Sequence, residues 1–432
     1  MVVWKINEKN YFFYIFFFSN LQASTVYDYE TNVFFKEIID SITKVNNFNK
    51  NVSFIVILDD RPNAFVTENN NIIISSGLIK FSESYEAIVG VLAHEIGHID
   101  KFHVTKRKQS IEDLNNLNNL TNISILAGSL ISNNSEYIFQ SLIGNKLSIQ
   151  NYFQSFSREQ EREADFYAIK TLSKLNLSSA PLKNLLKRLE KDAKKQGIND
   201  EFYKFSSHPI YKERYEIINN EDNYKIIFDE NINSRFNFIR AKFFGYTEEN
   251  INYVNEFLKE EYYDYAYSII LSKKGRLKKS LLSLNTLIKN NQKNIHLIET
   301  KADILYSHGF FSEALLFYKI SIKKNPKNYY VKKRIFDIKF SILDPDDKDT
   351  SQALFNEYKF LLNIFYNNQD LIKKLAVLAS ENNLTYWINY FNVRQNLNNN
   401  EYDLKSLLNE LKKIKKNTSD YDLIRLIDKV IL

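Results

Sequence analysis

The 432-residue sequence predicts an α+β domain with a small sheet, followed by an all-α repeat region. Short β-branched runs between residues 52 and 75 are typical of strands, and helical spacing dominates on both sides of them. Strand patterns end at about residue 245, whereas helical spacing continues to the C terminus. With 44% hydrophobic residues, the chain is long enough for two globular domains.

The predicted elements of the first domain begin with an amphipathic helix over Val26–Val45. Val52–Leu58 is a typical buried strand, and the polar residues 59–62 after it predict a turn. Two short strands follow at Ala64–Val66 and Ile72–Ser75. Helical spacing returns at about residue 84 and again between about residues 151 and 175, so the sheet precedes a group of helices.

The predicted helix after residue 84 carries the pentapeptide His94-Glu95-Ile96-Gly97-His98 inside an apolar run from Ala87 to Ile99. Residues i and i+4 of a helix are roughly 40° apart around its axis, so both imidazoles can reach one metal ion. Zinc is the metal that such a pair favours, with a third protein ligand and an open position for water. The alternative is a buried helix that carries two His and a Glu by chance.

The third ligand is not predicted to be a histidine close in sequence. Some HExxH sites use a His six positions after the second one, but Val104 occupies that position here. His103 lies roughly 180° from His94 around a continuing helix and could not share its ion. A structural role, or a supporting role beside the ligands, is therefore predicted for His103.

A later acidic block, Ser157 to Asp165, supplies candidate carboxylates. Glu161 and Asp165 are four residues apart and share one helix face. One could bind zinc while the other accepts a hydrogen bond from a ligating imidazole. The alternative is a solvated acidic helix.

These motifs resemble those of the HtpX-like and CAAX-prenyl-protease-like zinc metallopeptidases, a gluzincin group also known as metallopeptidase family forty-eight. The resemblance rests on HEIGH, on the EREAD sequence ending at Asp165, on His208-Pro209 followed by Arg214, and on Asn63-Ala64-Phe65. It extends to the BepA-type periplasmic proteases of Gram-negative bacteria, strongly between Asn63 and Arg214 and weakly in the C-terminal region. It implies a gluzincin-type domain that hydrolyses peptide bonds.

The resemblance also implies a role for each site residue. Three of them would bind one Zn2+ per chain, and four would be catalytic: the ligands are His94, His98 and Glu161, with Glu95 as general base, Asp165 as partner of an imidazole, and His208 and Arg214 facing the reacting carbonyl. His208 could instead occupy the fourth zinc position and hold the enzyme latent. The sequence leaves these two roles of His208 open.

The first residues predict export. Lys5 and Lys9 precede an apolar core, Tyr11–Phe18, and Ala23 offers a small residue for cleavage. The core is shorter than the roughly 20 residues of a membrane span. We therefore predict a signal peptide over residues 1–23 and a periplasmic location, with an uncleaved anchor as the alternative. The absence of Cys excludes disulfides and a lipid-anchored lipoprotein.

The C-terminal region predicts tetratricopeptide-like repeats. Gly275 and Gly309 are 34 residues apart, which is the period of these helix-turn-helix units. A plain helical bundle is the alternative. The predicted domains are a metallopeptidase domain over 24–225, a linker over 226–245 and the repeats over 246–432.

Charge and composition limit the classes of partner that the sequence predicts. The formal charge of +6 is scattered, so we predict no nucleic-acid partner and at most a peripheral membrane contact.

Residues 106–150 are predicted either to cover the cleft as a lid or to form an ordinary helical insertion.

The resemblance and these features predict quality control in the envelope. The substrates would be unfolded or misassembled envelope proteins, bound by β-addition beside the cleft with Ile72–Ser75 as the receiving strand. The repeats would dock on the outer-membrane assembly machinery. The alternative is a chaperone or adaptor for that machinery, with latent or minor proteolysis.

Overall fold

The computed structural model describes residues 25–67, 69–107, 109, 156–195, 212–219, 227–344, 346–366, 368–396 and 403–431. The predicted signal peptide, most of the predicted lid and His208 lie outside these residues. The helices and strands of the first part are α1 (Tyr29–Val45), β1 (Ser53–Ile57), β2 (Ala64–Val66), β3 (Asn71–Ser75), α2 (Ser76–Phe81), α3 (Tyr85–Asp100), α4 (Arg158–Lys174), α5 (Ala180–Lys195) and α6 (Lys212–Asn219).

The second part of the described chain is helical. Its helices are α7 (Glu230–Thr247), α8 (Ile251–Phe257), α9 (Glu260–Lys273), α10 (Leu277–Asn290), α11 (Ile295–Ser307), α12 (Phe311–Lys324), α13 (Tyr329–Ser341), α14 (Lys348–Tyr358), α15 (Gln369–Glu381), α16 (Thr385–Asn396), α17 (Leu404–Asn417) and α18 (Tyr421–Ile431), with a 3₁₀ helix over Lys359–Asn363. The three strands and the surrounding helices of the first part confirm its predicted α+β class.

The sheet has the strand order β1–β3–β2, with β1 parallel and β2 antiparallel to β3. The prediction that Ile72–Ser75 receives a substrate strand is wrong, because these residues belong to β3 and both edges of β3 are paired. All five residues of β3 are buried, as expected for a central strand. The other side of β1 is bridged at Ile57 by Thr25, so β2 forms the open edge within the described residues.

Helix α3 lies at the centre of the first hydrophobic core. It packs against β2, α1, α4 and α5, and nearly all of its side chains are buried. A helix that is buried on nearly every side is expected in the middle of a core. The sheet and the surrounding helices therefore fix the position of the histidines on α3.

Helix α7 connects the first core with the helices that follow. Phe236 and Phe243 belong to the core around α3, whereas Phe238 and Phe244 belong to a second core with α8–α11. The predicted linker over 226–245 is therefore largely a buried helix. The bounds of the predicted domains remain a prediction.

The later helices pack mainly on their neighbours in sequence, as α9 does on α10 and α11 on α12, although α9 also packs closely on α7. Gly275 and Gly309 lie between the helices of these two pairs and have φ values of +72° and +81°. Glycine adopts this left-handed conformation without steric cost, which explains both turns. A solenoid of tetratricopeptide type remains a prediction. None of the helices in the described residues has the length and apolarity that a bilayer crossing requires.

A buried ion cluster joins α1 to α7. Lys242 Nζ lies 3.0 Å from Asp28 Oδ1 and 2.6 Å from Glu30 Oε2. Burial alone would raise the pKa of Asp28, but Lys242 and the hydrogen bonds from Thr31 outweigh it and hold this pKa below its usual value. Asp28 therefore contributes stability above the unfolded-state pKa of about 3.9, and this stability is lost as the pH falls through the lower folded-state pKa.

We expect Lys242→Met to lower the free energy of unfolding by about 3–5 kcal/mol at pH 7, because two buried carboxylates lose their cation. Urea unfolding at pH 7 measures this loss, and the deficit should shrink below about pH 4 as Asp28 protonates. Lys36→Met is the control, since Lys36 and Asp40 form an exposed pair. Such pairs contribute about 0–1 kcal/mol. Equal losses in both variants at pH 7 would contradict the expectation.

Candidate metal centre

The two histidines of the pentapeptide and Glu161 converge in the core. His94 and His98 lie on one face of α3, and Glu161 lies in the first turn of α4. One ligand atom from each of these residues lies within 4.8 Å of the other two. All three side chains are at least 95% buried.

The spacing of the ligand atoms fits one zinc ion. His94 Nε2 and His98 Nε2 are 3.0 Å apart, and they lie 3.4 and 3.5 Å from the nearest Glu161 oxygens. Ligands about 2.0–2.1 Å from a tetrahedral zinc are about 3.3–3.4 Å from each other. The donor set of two imidazoles and one carboxylate is that of a catalytic zinc site.

Helix α4 holds Glu161 because of its capping and its close packing on α3. Ser157 and Gln160 form a capping box at its start, and Glu161 accompanies them in the first turn. The closest approach is at Gly97, where an added Cβ would lie 3.0 Å from Tyr167 Cβ and 3.2 Å from Ala164 Cα. A side chain at position 97 would push α4 and Glu161 away from the histidines.

We therefore expect Gly97→Leu to lower the free energy of unfolding by about 1–3 kcal/mol through overpacking and also to weaken zinc binding. Gly90→Leu is the matched control on the same helix, because a Cβ at Gly90 meets the side chain of Leu182 instead. It should cost stability and leave the zinc affinity unchanged. Chelator competition and thermal unfolding measure the two effects. Unchanged zinc affinity in Gly97→Leu would contradict the expectation.

Asp165 and Arg214 hold the first histidine. His94 Nδ1 lies 2.9 Å from Asp165 Oδ1, and Arg214 donates from Nε and Nη2 to both oxygens of that carboxylate, over 2.7 and 2.8 Å. Burial would raise the pKa of Asp165, but Arg214 and His94 outweigh it and lower this pKa. The ionised Asp165 thus accepts the Nδ1–H of His94, and Nε2 of a neutral His94 presents its lone pair to Glu161 and His98.

The electrostatics of the centre favour a positive charge. Burial alone would lower the pKa of His94, but Asp165 and Glu161 outweigh it and raise this pKa to about 9. In the metal-free protein, a proton on His94 therefore supplies positive charge beside Asp165 and Glu161, as a bound divalent cation would. A metal ion must displace this proton when it binds.

His103 and Glu163 support His98. His98 Nδ1 is 2.9 Å from His103 Nδ1, and His103 Nε2 is 2.8 Å from Glu163 Oε2. Phe156 stacks on the ring of His98, with 3.9 Å between the ring centroids and 19° between the planes. The sequence singled out His103 but neither Glu163 nor Phe156. The only available signal was the position of Glu163 in the same acidic block as Glu161.

The remaining predicted residues have different outcomes. Glu95 is buried. Burial alone would lower the pKa of Arg214, but the charges of Asp165, Glu161 and Glu95 outweigh it and raise this pKa. Arg214 itself is buried, and Nη1 lies 3.2 Å from Glu161 Oε2. Its orientation toward a reacting carbonyl remains a prediction. His208 lies outside the described residues, so both of its predicted roles stay open.

The comparison with protein families matches this region. Residues 32–222 match the family described as Peptidase family M48. This range includes α3, α4 and α6 and hence every residue of the centre. This stretch of the chain is therefore similar to M48 peptidases. M48 enzymes are metallopeptidases that typically depend on zinc, which agrees with the donor set of His94, His98 and Glu161 here.

Curated relatives carry names that mention β-barrel assembly. A beta-barrel assembly-enhancing protease of Escherichia coli K12 is 23% identical over 174 residues, or 40% of this chain and 35% of that protein. The protein of the same name from Yersinia pestis is 24% identical over 149 residues, covering 34% and 30% of the two chains. A putative one from Vibrio cholerae is 27% identical over 154 residues, with the same coverage. The chain thus matches only about a third of the length of each of these relatives.

Proposed function

We propose that this chain is a zinc-dependent endopeptidase of the bacterial cell envelope that cleaves misfolded or stalled outer-membrane and periplasmic proteins. The observation that carries the proposal is the convergence of His94, His98 and Glu161 on one point. The match of residues 32–222 to M48 and the names of the relatives support the class of reaction and the setting. The periplasm is the proposed location.

In the proposed mechanism, zinc is held by the two histidines and Glu161, and when bound it supplies Lewis acidity to a carbonyl and to water. Glu95 follows His94 on α3 and is buried beside the centre. It takes the proton of the attacking water and passes it to the leaving amine. Asp165 and Arg214 keep His94 in the required tautomer. His208 either stabilises the developing oxyanion or blocks the centre.

The open edge of the sheet supports binding of extended chains. Thr67 donates to Asn71 and Ser75 donates to Asn63, so alternate residues of the β2 segment face β3. In an antiparallel ladder the backbone groups of the residues between them, Ala64 and Val66, point to the other side. We propose that substrates add to this edge of β2, which packs on α3. Main-chain pairing requires little side-chain specificity, as suits unfolded substrates.

The test is hydrolysis of an unfolded outer-membrane protein and of casein by the purified mature chain. We expect cleavage that a chelator abolishes and added zinc restores. Cleavage that persists without metal would refute the mechanism, and no cleavage by the fully zinc-loaded chain would refute the activity. The second candidate function is a chaperone or adaptor, favoured by the extent of the helices after residue 246. It predicts suppressed aggregation of the same substrate with no hydrolysis.

A further inference from the structure

We propose that His103 and Glu163 form a positioning relay for His98, and that tight zinc binding depends on this relay. The inference rests on the zinc site of the proposed function, and it assigns a role to two residues outside the ligand set. It also implies that the two histidine ligands are supported in different ways. Asp165 with Arg214 holds His94, whereas His103 with Glu163 holds His98.

The geometry of the relay is continuous from solvent to the centre. Glu163 is 44% exposed, His103 is fully buried, and His98 is fully buried next to Glu161. The two bonds of the relay are 2.8 Å from His103 to Glu163 and 2.9 Å between the Nδ1 atoms of His103 and His98. A partly exposed carboxylate is thus hydrogen-bonded to a chain of two buried imidazoles.

The chain of hydrogen bonds fixes the tautomer of His98. The Glu163 carboxylate only accepts, so His103 donates to it from Nε2–H. A neutral imidazole has one N–H, so His103 Nδ1 carries a lone pair and accepts from His98 Nδ1–H. His98 Nε2 then presents its lone pair toward His94 and Glu161, as a metal ligand must. Without His103, the other tautomer of His98 would gain in population and its ring would lose an anchor.

The backbone is shaped to place His103. Helix α3 ends at Asp100, and Phe102 has a φ of +57°, which is unusual for a residue with a side chain. The turn at this residue ends the path of α3, and His103 lies against His98. Lys50 Nζ lies 3.7 Å from the centroid of the Phe102 ring and covers the turn. A strained residue next to a functional centre is expected where a fixed orientation is needed.

Aromatic packing restricts the same ring. Phe156 stacks on His98, and the Arg107 guanidinium carbon lies 4.4 Å from the centroid of the Phe156 ring. Stacking fixes the plane of His98 but not the nitrogen that carries the proton. The relay supplies that second constraint, so its removal should change metal binding more than it changes the fold.

The test uses the zinc affinity of the purified full chain, measured by competition with a chromogenic chelator. We expect His103→Ala to weaken zinc binding by about 10–100-fold, as loss of a hydrogen-bond partner of a ligating histidine typically does. Glu163→Gln should have a smaller effect, because the amide still accepts from His103. The d–d absorption of the Co2+-substituted protein should change in His103→Ala, reporting altered ligand geometry.

Two isosteric variants separate positioning from packing. Asn Oδ1 is as many bonds from Cα as His Nδ1, so His103→Asn should still accept from His98 and restore most of the affinity. Gln Nε2 corresponds to His Nε2, so His103→Gln reaches Glu163 but has no acceptor at the position of Nδ1, and it should not restore the affinity. His296→Ala is the control, since it removes another largely buried histidine paired with a glutamate, Glu299. It should leave zinc affinity unchanged.

The outcomes distinguish this inference from the proposed function. A wild-type chain that binds no zinc would refute the proposed function and the relay together. Zinc binding by the wild type that is equally tight in His103→Ala would refute the relay alone. Equal losses in the Asn, Gln and Ala variants, with wild-type circular dichroism and thermal unfolding, would show that His103 acts by packing and would also overturn it.

Discussion

Replacing Glu95 by Gln is expected to lower kcat for hydrolysis of an unfolded substrate by about 10²–10⁴-fold, the usual contribution of a general base. The amide keeps the shape of the side chain but cannot take a proton from water. Because Glu95 is not a proposed ligand, the zinc content should stay at the wild-type level. Steady-state kinetics and metal analysis on the same preparation measure both quantities.

Glu86→Gln is the matched control for this variant. Glu86 is also buried on α3, but it lies in the first turn, where it accepts from the backbone N–H of Ser178. Its replacement should leave kcat unchanged. Wild-type hydrolysis by Glu95→Gln would refute the assignment of the base. Full rescue of a strain lacking the gene by Glu95→Gln would favour the chaperone or adaptor function.

Replacing Arg214 by Met is expected to lower the free energy of unfolding by about 3–5 kcal/mol, the usual result of breaking a buried ion pair. The change leaves Asp165 and Glu161 buried without their shared guanidinium, which lies 2.7 Å from the first and 3.2 Å from the second. Zinc binding should weaken as well, because Asp165 no longer has a fixed position beneath His94. Urea unfolding of the metal-free protein and chelator competition measure the two effects.

Arg214→Lys should fall between the wild type and Arg214→Met, because an ammonium keeps the charge and loses the paired geometry of the guanidinium. Arg235→Met is the control, since Arg235 forms an exposed pair with Glu37 on the protein surface. A loss for Arg214→Met no larger than that for Arg235→Met would show that the buried cluster is not needed for stability.

The strands and long helices were predictable because their signals are local. Apolar residues on one face identify α1, which begins at Asp28, where the side chain accepts from the N–H of Thr31. Alternating and continuous β-branched runs identify the three strands. The six-residue helix α2 was not predicted, because one turn and a half is too short for a periodic signal, although Ser75 caps it.

The centre was predictable to the extent that its residues repeat at helical spacing. His94 and His98 are one turn apart on α3, and Glu161 and Asp165 are one turn apart on α4, so each pair points to one side. The structure places the two pairs against each other, as expected, while the chemical role of each residue remains a prediction. The spacing could not identify which carboxylate faces which histidine.

The rest of the arrangement depends on long-range contacts. The sequence offers no sign that Phe102 adopts a positive φ, so it could not show that His103 turns back to His98. The order of the strands depends on how β2 folds back on β3. No local pattern shows this pairing, so the sequence predicts β3 instead of β2 as the edge that receives a substrate. The sequence predicts a linker where α7 lies, because the packing of this helix in two cores is visible only in three dimensions.

We propose above that His94, His98 and Glu161 together bind one catalytic zinc ion. Metal analysis of the purified full chain after desalting tests it most directly, with Glu161→Ala prepared in parallel. We expect about one zinc per wild-type chain and a large loss of bound zinc in Glu161→Ala. A wild-type chain that retains no zinc, or a Glu161→Ala chain that retains as much as the wild type, would contradict it.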